Sequence, residues 1–382
     1  MYFLIGADLV PTESNRLLFE AGDIKELLGE ELTAYLNKAE YRIFNLETPL
    51  TEQESPLPKC GPNLSAPTKT VNAMKKMHIN AFTLANNHVF DHGAEGMFST
   101  CKTLRNNGIN YFGVGRNVKE ASGFHYVDFA GKKIGVYACC EKEFGLADEH
   151  TPGANPFDPL ESLDQITELK NKCDYVIVLY HGGKEYFRYP SPLLQKRCRK
   201  IVEKGADLVV CQHSHCVGCE EKCGNGTIVY GQGNFLFDHG NDEYWKTGLL
   251  IEVDDEFKVS YTPIQKHENV VRLAKDADAE KILNGFFTRS EEIKQEDFVK
   301  KNYEAFSASL LERYLYAFSG MRRTLFYRVF DKLSGHRITP WLLKKKFTPE
   351  KKLALQNFIE CEAHNEALLC GLKQQVESKK QI

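Results

Sequence analysis

Hydrophobic and polar positions alternate in blocks along this chain. Short strand-like runs rich in Val, Ile, Leu, Phe and Tyr recur from the first residues to about residue 270, with helically spaced stretches between them. Residues 175–180 are almost continuously apolar, the pattern of a strand covered on both faces. Stretches at 24–36 and 94–106 read as helices, and the second ends at Asn106-Asn107-Gly108, a C-cap pattern. Residues 124–130, a turn at Gly131-Lys132 and residues 133–138 predict a hairpin. Residues 248–254, a turn at Asp255-Glu256 and residues 257–262 predict another. This alternation fits a mixed sheet, or two packed sheets with helices outside. Residues 49–67 and 151–159, rich in proline and polar residues, read as surface loops. Strand signals stop near residue 275, and 290–382 carries helical periodicity with few glycines. The expected division is a domain over 1–270 and a helical extension over 275–382.

Five of the strand-like runs end in carboxylate, amide or imidazole side chains. They lead to Asp8, to Asn45-Leu46-Glu47, to Asn86-Asn87-His88, to His181, and to His213-Ser214-His215. If these strands lie parallel in one sheet, their carboxyl ends meet along the edge where open α/β sheets place ligands.

Composition narrows the class without naming a function. A hydrophobic share of 42% and a charged share of 26% are those of an ordinary globular protein, and 382 residues suffice for one large domain plus an appendage. The formal charge of −3 gives no general bias toward nucleic acid, and no motif supports nucleic-acid binding. No apolar run approaches the roughly 18 residues that span a bilayer, and the N-terminus reads as a core strand rather than a signal peptide. These features predict a cytoplasmic protein whose 12 cysteines are reduced thiols. Cys211, Cys216, Cys219 and Cys223 surround the His-Ser-His segment, but their irregular spacing and the expected burial of Cys211 argue against a separate structural zinc. Basic residues crowd between Arg322 and Lys352, opposed only by Asp331 and Glu350 and interleaved with Phe326, Tyr327, Phe330 and Trp341. Such a run is usually a solvated face; a membrane-surface or anionic-polymer contact is the alternative.

The polar clusters carry the chemistry. Asn87 offers an amide oxygen to a cation and leaves His88 as a general acid, with Asp91 three residues on to hold the second ring nitrogen. A strand sends residues i and i+2 to one face, so His213 and His215 are expected to point at one centre. His181 is followed by Gly182-Gly183, which permit close backbone approach, and then by Glu185 and Tyr186, which could contact substrate. Asp8 and Glu47 supply anionic oxygen. Two carboxylates, an amide and three imidazoles suit one or two borderline divalent cations such as Mn²⁺, Zn²⁺ or Fe²⁺. Each cluster also has a plain structural reading, as an Asx-stabilised turn or a solvated loop.

Taken in order, Gly6-Ala-Asp8, Asn45-Leu-Glu47-Thr48, Ala85-Asn-Asn-His88 with Asp91-His-Gly93, His181-Gly-Gly-Lys-Glu-Tyr186, Gln212-His-Ser-His215 and Tyr230-Gly-Gln-Gly-Asn-Phe235 resemble the CapA family of poly-γ-glutamate capsule synthesis, related to calcineurin-like metallophosphoesterases. The resemblance covers roughly residues 1–265. It implies a four-layer α/β/β/α sandwich followed by the helical extension. By position it makes Asp8 a first-metal ligand, Glu47 the bridging carboxylate, and Asn87 with His88 one ligand and one acid. His181 and His213 correspond to second-metal ligands and His215 to a first-metal ligand. Asn45 and Asn234 match asparagines of the family, grouped here with Glu185 and Tyr186 as substrate-side residues. Two positions depart from the phosphoesterase pattern: Val10 stands where a ligand histidine is usual, and Asn86 where glycine precedes the Asn-His pair.

Two functions follow. One is a metal-dependent hydrolase of phosphoester, γ-glutamyl or other amide bonds in cell-surface polymer metabolism, with an anionic polymer or a phosphorylated small molecule as substrate. The other is a non-catalytic metal- or polymer-binding protein that assists polymer-synthesis proteins. Val10 favours the second reading; His88 and Asp91, which are not needed merely to hold metal, favour the first.

Overall fold

The computed structural model describes residues 1–239, 242–321 and 325–378. Contacts divide the chain into two compact units, Met1–Lys300 and Lys301–Ile382. Helix Asp276–Glu292, within the span expected for the extension, therefore belongs to the first unit, where its Phe286 enters the core between the sheets.

Sixteen strands occur in the described first unit: β1 Tyr2–Val10, β2 Tyr41–Leu46, β3 Ala81–Thr83, β4 Asn110–Phe112, β5 Val114–Gly115, β6 His125–Phe129, β7 Lys132–Cys140, β8 Gly153–Ala154, β9 Tyr175–His181, β10 Leu208–Gln212, β11 Val217–Cys223, β12 Gly226–Gln232, β13 Asn234–Phe237, β14 Thr247–Asp254, β15 Val259–His267 and β16 Val270–Leu273. One sheet runs β16-β15-β14-β1-β2-β3-β4 with β13 also paired to β1; the other runs β11-β12-β10-β9-β7-β6. The five runs that end in polar clusters thus do not share a single sheet. β1, β2 and β3 are parallel in the first, and β9 and β10 are parallel in the second.

Three apolar cores separate four layers. Phe3, Ile5 and Ile43 of the first sheet meet Val136, Ile177 and Val210 of the second. The opposite face of the first sheet, with Leu4, Phe44 and Phe82, packs under helices Ile24–Asn37 and Gly93–Asn106 through Leu28, Leu32, Met97 and Leu104. The opposite face of the second sheet, with Tyr137, Val178 and Val209, is covered by Ile166 of helix Ser162–Lys170 and Ile201 of helix Pro192–Glu203. Strict alternation of side chains along each strand makes this possible, and it gives the α/β/β/α sandwich that the sequence predicts.

Both hairpins form, with different turns. β6 and β7 are joined at Ala130-Gly131, both at positive φ (51° and 71°), the left-handed geometry of a two-residue turn that matches strand twist. The β14–β15 connection is wider, because Asp254 Oδ1 accepts from the amides of Glu256 and Lys258 and Phe257 turns left-handed (φ 63°). The segment 151–159 is not simply a surface loop: β8 pairs with β5, and buried Asn155 donates from Nδ2 to the carbonyl of Ala138.

Two glutamines tie the sheets together behind the polar edge. Gln212 Nε2 donates to the carbonyl of Gly6 and to Gln232 Oε1, both at 3.1 Å, and Gln232 Nε2 donates to the carbonyls of Ile5 (2.7 Å) and Leu249 (2.9 Å). Fully buried amides whose donors are satisfied in this way fix the register of one sheet against the other more tightly than apolar contact alone.

The second unit is helical, with Leu325–Leu333, Ile338–Lys346, Pro349–Glu360 and Glu362–Ser378 among its described helices. Arg322 and Arg323 of the basic run, and the Phe326 side chain, lie outside the described residues. No described helix is long and apolar enough to cross a membrane. No disulfide links the described cysteines, and none of them joins a group able to hold a metal.

Candidate metal centre

The site forms where the carboxyl ends of β1 and β2 face those of β9 and β10. Asp8 sits at an irregularity: the β1–β2 register shifts between Ile5 and Asp8, and the β1–β13 register shifts between Asp8 and Leu9. A bulge of this kind re-aims a side chain. It leaves Asp8 fully buried, flanked by Asn45 on β2 and Asn234 on β13. Glu47 follows the last residue of β2, and its amide donates to the carbonyl of Leu9 (3.2 Å). In the second sheet His181 ends β9, opposite Gln212 of β10 and Cys140 of β7.

His213 and His215 converge by a route other than strand alternation. β10 ends at Gln212, and the next residues bend away. His213 (φ 88°) and His215 (φ 55°) are both left-handed, as is Tyr186 (φ 61°). Such φ values are costly for residues bearing a Cβ and concentrate at functional sites. The strained backbone, not a strand face, turns both imidazoles inward.

Ligand atoms gather into two overlapping groups among the described residues: Glu47, His181 and His213 in one, Asp8, Glu47 and His215 in the other, with the atoms of each group within 4.8 Å of one another. Glu47 belongs to both. Around His181 Nε2, Asn87 Oδ1 lies at 3.0 Å and Glu47 Oε1 at 3.3 Å, a crowd of oxygens that one N–H cannot fully satisfy. His215 Nδ1 is 3.0 Å from Asn234 Oδ1 and 3.8 Å from Asp8 Oδ2.

The donor set fits a divalent cation on evidence internal to the protein. Both carboxylate oxygens of Glu47 and the Nδ1 of His213 are buried without a hydrogen-bond partner, an arrangement costly in a protein interior unless something else is held there. Burial opposes charge throughout. The Asp8 carboxyl is pushed up to about 8, chiefly by desolvation and then by neighbouring Glu47, and that of Glu47 to about 7, again chiefly by burial. Burial drives His213 well below its ordinary range and His215 down to about 3, so both imidazoles are neutral, the form that ligates metal. A cation would reverse the strain on the carboxylates without competing with protons on the imidazoles.

His88 occupies the rim. Its Nδ1 donates to Asp91 Oδ2 at 2.6 Å, which fixes the tautomer and leaves Nε2 for other work. Asp91 is buried and collects the segment 49–67 around itself: Lys59 Nζ pairs with its Oδ1, the Leu64 amide donates to its Oδ2 (2.6 Å), and the Leu57 amide donates to its carbonyl (2.8 Å). Glu185 and Tyr186 lie half-buried nearby, with the Tyr186 ring 6.4 Å from that of His215. Val10 is buried against Phe237 and Trp245, and Trp245 in turn stacks on His215 at 4.3 Å. The position that could have carried another imidazole is therefore filled by an apolar cluster.

A model of the family described as bacterial capsule synthesis protein PGA_cap matches residues 8–239, from the first candidate ligand to beyond the last. The chain belongs to this family. Among relatives, the capsule biosynthesis protein CapA of Bacillus anthracis is 32% identical over 218 residues, 55% of this chain and 53% of that one. The PGA biosynthesis protein CapA of Bacillus subtilis (strain 168) is 28% identical over 239 residues, 60% of this chain and 62% of that one. The chain thus spans about half to three-fifths of the length of these two relatives. Solved structures similar to it include a hypothetical protein from Thermus thermophilus (TM-score 0.47, 12% identity, 70% of this chain and 100% of that one). A novel phosphatase from Mycoplasma pneumoniae is also similar (TM-score 0.44, 14% identity, 70% and 94%). Likeness at that level carries no chemistry.

Within the PGA_cap fold of this chain, Asn45 and Asn234 are bonded to candidate ligands themselves. Asn45 donates from Nδ2 to Asp8 Oδ1 (2.8 Å) and lies 3.2 Å from His181 Nδ1, while Asn234 holds His215. Three further residues have site contacts to which the sequence assigns no role. Asn86 donates to Asn45 Oδ1 (3.0 Å) and to the carbonyl of Leu46 (2.9 Å), and accepts from the amides of His88 (3.1 Å) and Val89 (2.8 Å). It joins the β2 ligand segment to the Asn87-His88 turn, work that glycine could not do. Glu141, directly after β7, accepts from the Gly183 amide (3.1 Å) and approaches His213 Nε2 to 3.8 Å. A Cβ on Gly182 would come within 2.9 Å of that carboxylate, and Gly183 holds a φ of 116°, so the glycine pair makes room for Glu141 as well as for the turn. Its signal was present, since β7 is another apolar run ending in a carboxylate. Lys59 gave none.

Proposed function

We propose that this chain is a metal-dependent hydrolase of the metallophosphoesterase type, acting in the biosynthesis of a capsule or similar cell-surface polymer. The observation that carries this reading is Glu47: a buried carboxylate, neither oxygen hydrogen-bonded, common to two groups of potential ligands. Asp8, Glu47 and His215 would hold one divalent cation, and Glu47, Asn87, His181 and His213 a second, with Mn²⁺, Zn²⁺ or Fe²⁺ suited to the mixed oxygen and nitrogen donors. Cations bound there supply an acidified water and neutralise charge developing on a phosphoryl or carbonyl oxygen. Asn45 and Asn234 orient ligand side chains from behind. His88, its ring fixed through Nδ1 by Asp91, presents Nε2 to protonate a leaving group. Lys59 holds the Asp91 carboxylate in place, and Glu185 and Tyr186 stand where a substrate would enter. A phosphorylated small molecule or an anionic polymer is the substrate class this set would take. The family description and the names of the Bacillus relatives support the pathway, with partners among polymer-synthesis proteins.

Val10 favours a second reading, that of a metal- or polymer-binding assembly protein without turnover. The apolar cluster of Val10, Phe237 and Trp245 leaves the Asp8 group with three ligand residues. Metal analysis of the purified protein, followed by assay against phosphomonoesters, phosphodiesters and γ-glutamyl peptides, separates the two. The hydrolase reading expects metal-dependent turnover that falls by about 10²–10⁴ in His88→Ala with metal content unchanged. Bound metal with no turnover of any of these substrates establishes the assembly reading instead.

A further inference from the structure

The second unit holds a helix whose polarity is reversed relative to its packing. In Leu325–Leu333 the polar side chains of Tyr327 and Asp331 turn toward the following helix Ile338–Lys346. Tyr327 Oη shares a hydrogen bond with Thr339 Oγ1 (2.6 Å), Asp331 Oδ1 accepts from the Thr339 amide (3.0 Å), and Asp331 Oδ2 pairs with His336 (3.0 Å). Four apolar side chains among the described residues point outward. Leu325, Val329 and Leu333 stand at i, i+4 and i+8 with Phe330 beside them, exposed by 77%, 49%, 77% and 60%. A helix in a water-soluble fold normally does the opposite.

The surroundings of this face are cationic. Residues 325–352 contain eight Lys and Arg against two Asp and Glu. Arg328 and Lys332 flank the apolar stripe on its own helix, and the next helix exposes Trp341 beneath the Lys345 ammonium (4.5 Å from the ring centroid) and ends in Lys344, Lys345 and Lys346. An apolar stripe edged by cations, with a tryptophan at the margin, is the chemistry of a helix that lies in a bilayer interface. Two other occupants fit less well. A second copy of this chain would bring two strongly cationic faces together, and a soluble polyanion would leave the apolar stripe in water.

We propose that the pair of helices Leu325–Leu333 and Ile338–Lys346 docks this protein on an anionic membrane surface, the apolar stripe entering the interface and the lysines meeting lipid phosphates. This inference is independent of the hydrolase reading, because no residue of the candidate metal centre takes part.

Co-sedimentation of the full chain with phosphatidylcholine vesicles, with and without phosphatidylglycerol, tests it. Binding is expected only with phosphatidylglycerol and should weaken in high salt. Phe330→Asp, at an exposed position and with folding checked by circular dichroism, should abolish it. The triple change Lys332→Ala, Lys344→Ala and Lys345→Ala, which leaves the stripe untouched, should weaken it roughly fivefold per lysine, about a hundredfold together. Absence of vesicle binding, equal binding to both vesicle types, or retained binding in Phe330→Asp overturns the proposal. So does sedimentation-velocity evidence that the stripe instead mediates self-association, or capture of soluble polyglutamate with no affinity for vesicles.

Discussion

Replacing Glu47 with glutamine should change stability in opposite directions with and without metal. In the metal-free protein the carboxyl is buried beside Asp8, neither oxygen has a hydrogen-bond partner, and burial pushes it from 4.5 up to about 7. At pH 8 the unfolded chain ionises this group freely while the folded protein resists, a gap of about 3 kcal/mol. Glutamine removes that gap but buries an amide with poor partners, at a cost of about 1–2 kcal/mol. The expected net effect in EDTA at pH 8 is therefore a gain of about 1–2 kcal/mol. At pH 5 the folded carboxyl is protonated while the unfolded one, at 4.5, is about three-quarters ionised, so the gap shrinks to about 1 kcal/mol and the gain should vanish or reverse. With Mn²⁺ present the order inverts, because both ligand groups lose their shared carboxylate and the cation stabilises the wild type alone. Urea denaturation of both proteins, in EDTA and in Mn²⁺ at pH 5 and pH 8, measures all four differences. A Glu47→Gln variant less stable than wild type in EDTA at pH 8, or one stabilised by Mn²⁺ as much as wild type, would refute the assignment of Glu47 as a shared ligand.

Cation binding should release protons from Asp8 and Glu47, held at about 8 and about 7; affinity should fall by up to about a hundredfold per pH unit below pH 7 and level off above pH 8. Calorimetry in buffers of different ionisation enthalpy counts those protons, and a count near zero at pH 6 contradicts the assignment. In the metal-free protein the same two carboxyls contribute stability that is fully present below their unfolded values near 4 and is lost as the pH rises through 7 to 8. His215 works in the other direction: its contribution is present above 6.5 and is lost as the pH falls toward about 3. Asn86→Gly removes four hydrogen bonds, three of them buried, and should cost about 3–4 kcal/mol by denaturant unfolding; a cost below 1 kcal/mol would mean that the amide links nothing. Lys59→Met leaves Asp91 buried without its ammonium partner and should destabilise by about 2–4 kcal/mol, with faster proteolysis within 49–67. Proteolysis at the wild-type rate would show that Lys59 does not anchor the segment.

Much of the candidate site was legible in the chain because its residues stand where strands stop. Asp8, Glu47, His181 and the Asn87-His88 pair are each marked by an apolar run that ends in a polar side chain, and local periodicity alone locates such endings. The layers were legible for the same reason, since a strand buried on both faces, such as 175–180, must be covered from two sides. Sequence could not assign the strands to sheets. β2 and β9 have the same local pattern, and only pairing across the whole first unit places one in each sheet. Nor could it find the left-handed turns at His213 and His215, because positive φ is uncommon for any residue bearing a Cβ and nothing in the local sequence marks these two; the turns persist because surrounding packing imposes them.

What the sequence by itself determined is thus the inventory of strands, helices and polar endings, each set by neighbours a few residues away. The family resemblance anticipated a bridging Glu47, but tertiary structure alone decided that Asn86 joins two ligand-bearing segments and that Lys59 reaches Asp91 across 32 positions. Those relations are distances between residues remote in the chain. Such distances come into being only when the two sheets, pinned by Gln212 and Gln232, close on one another.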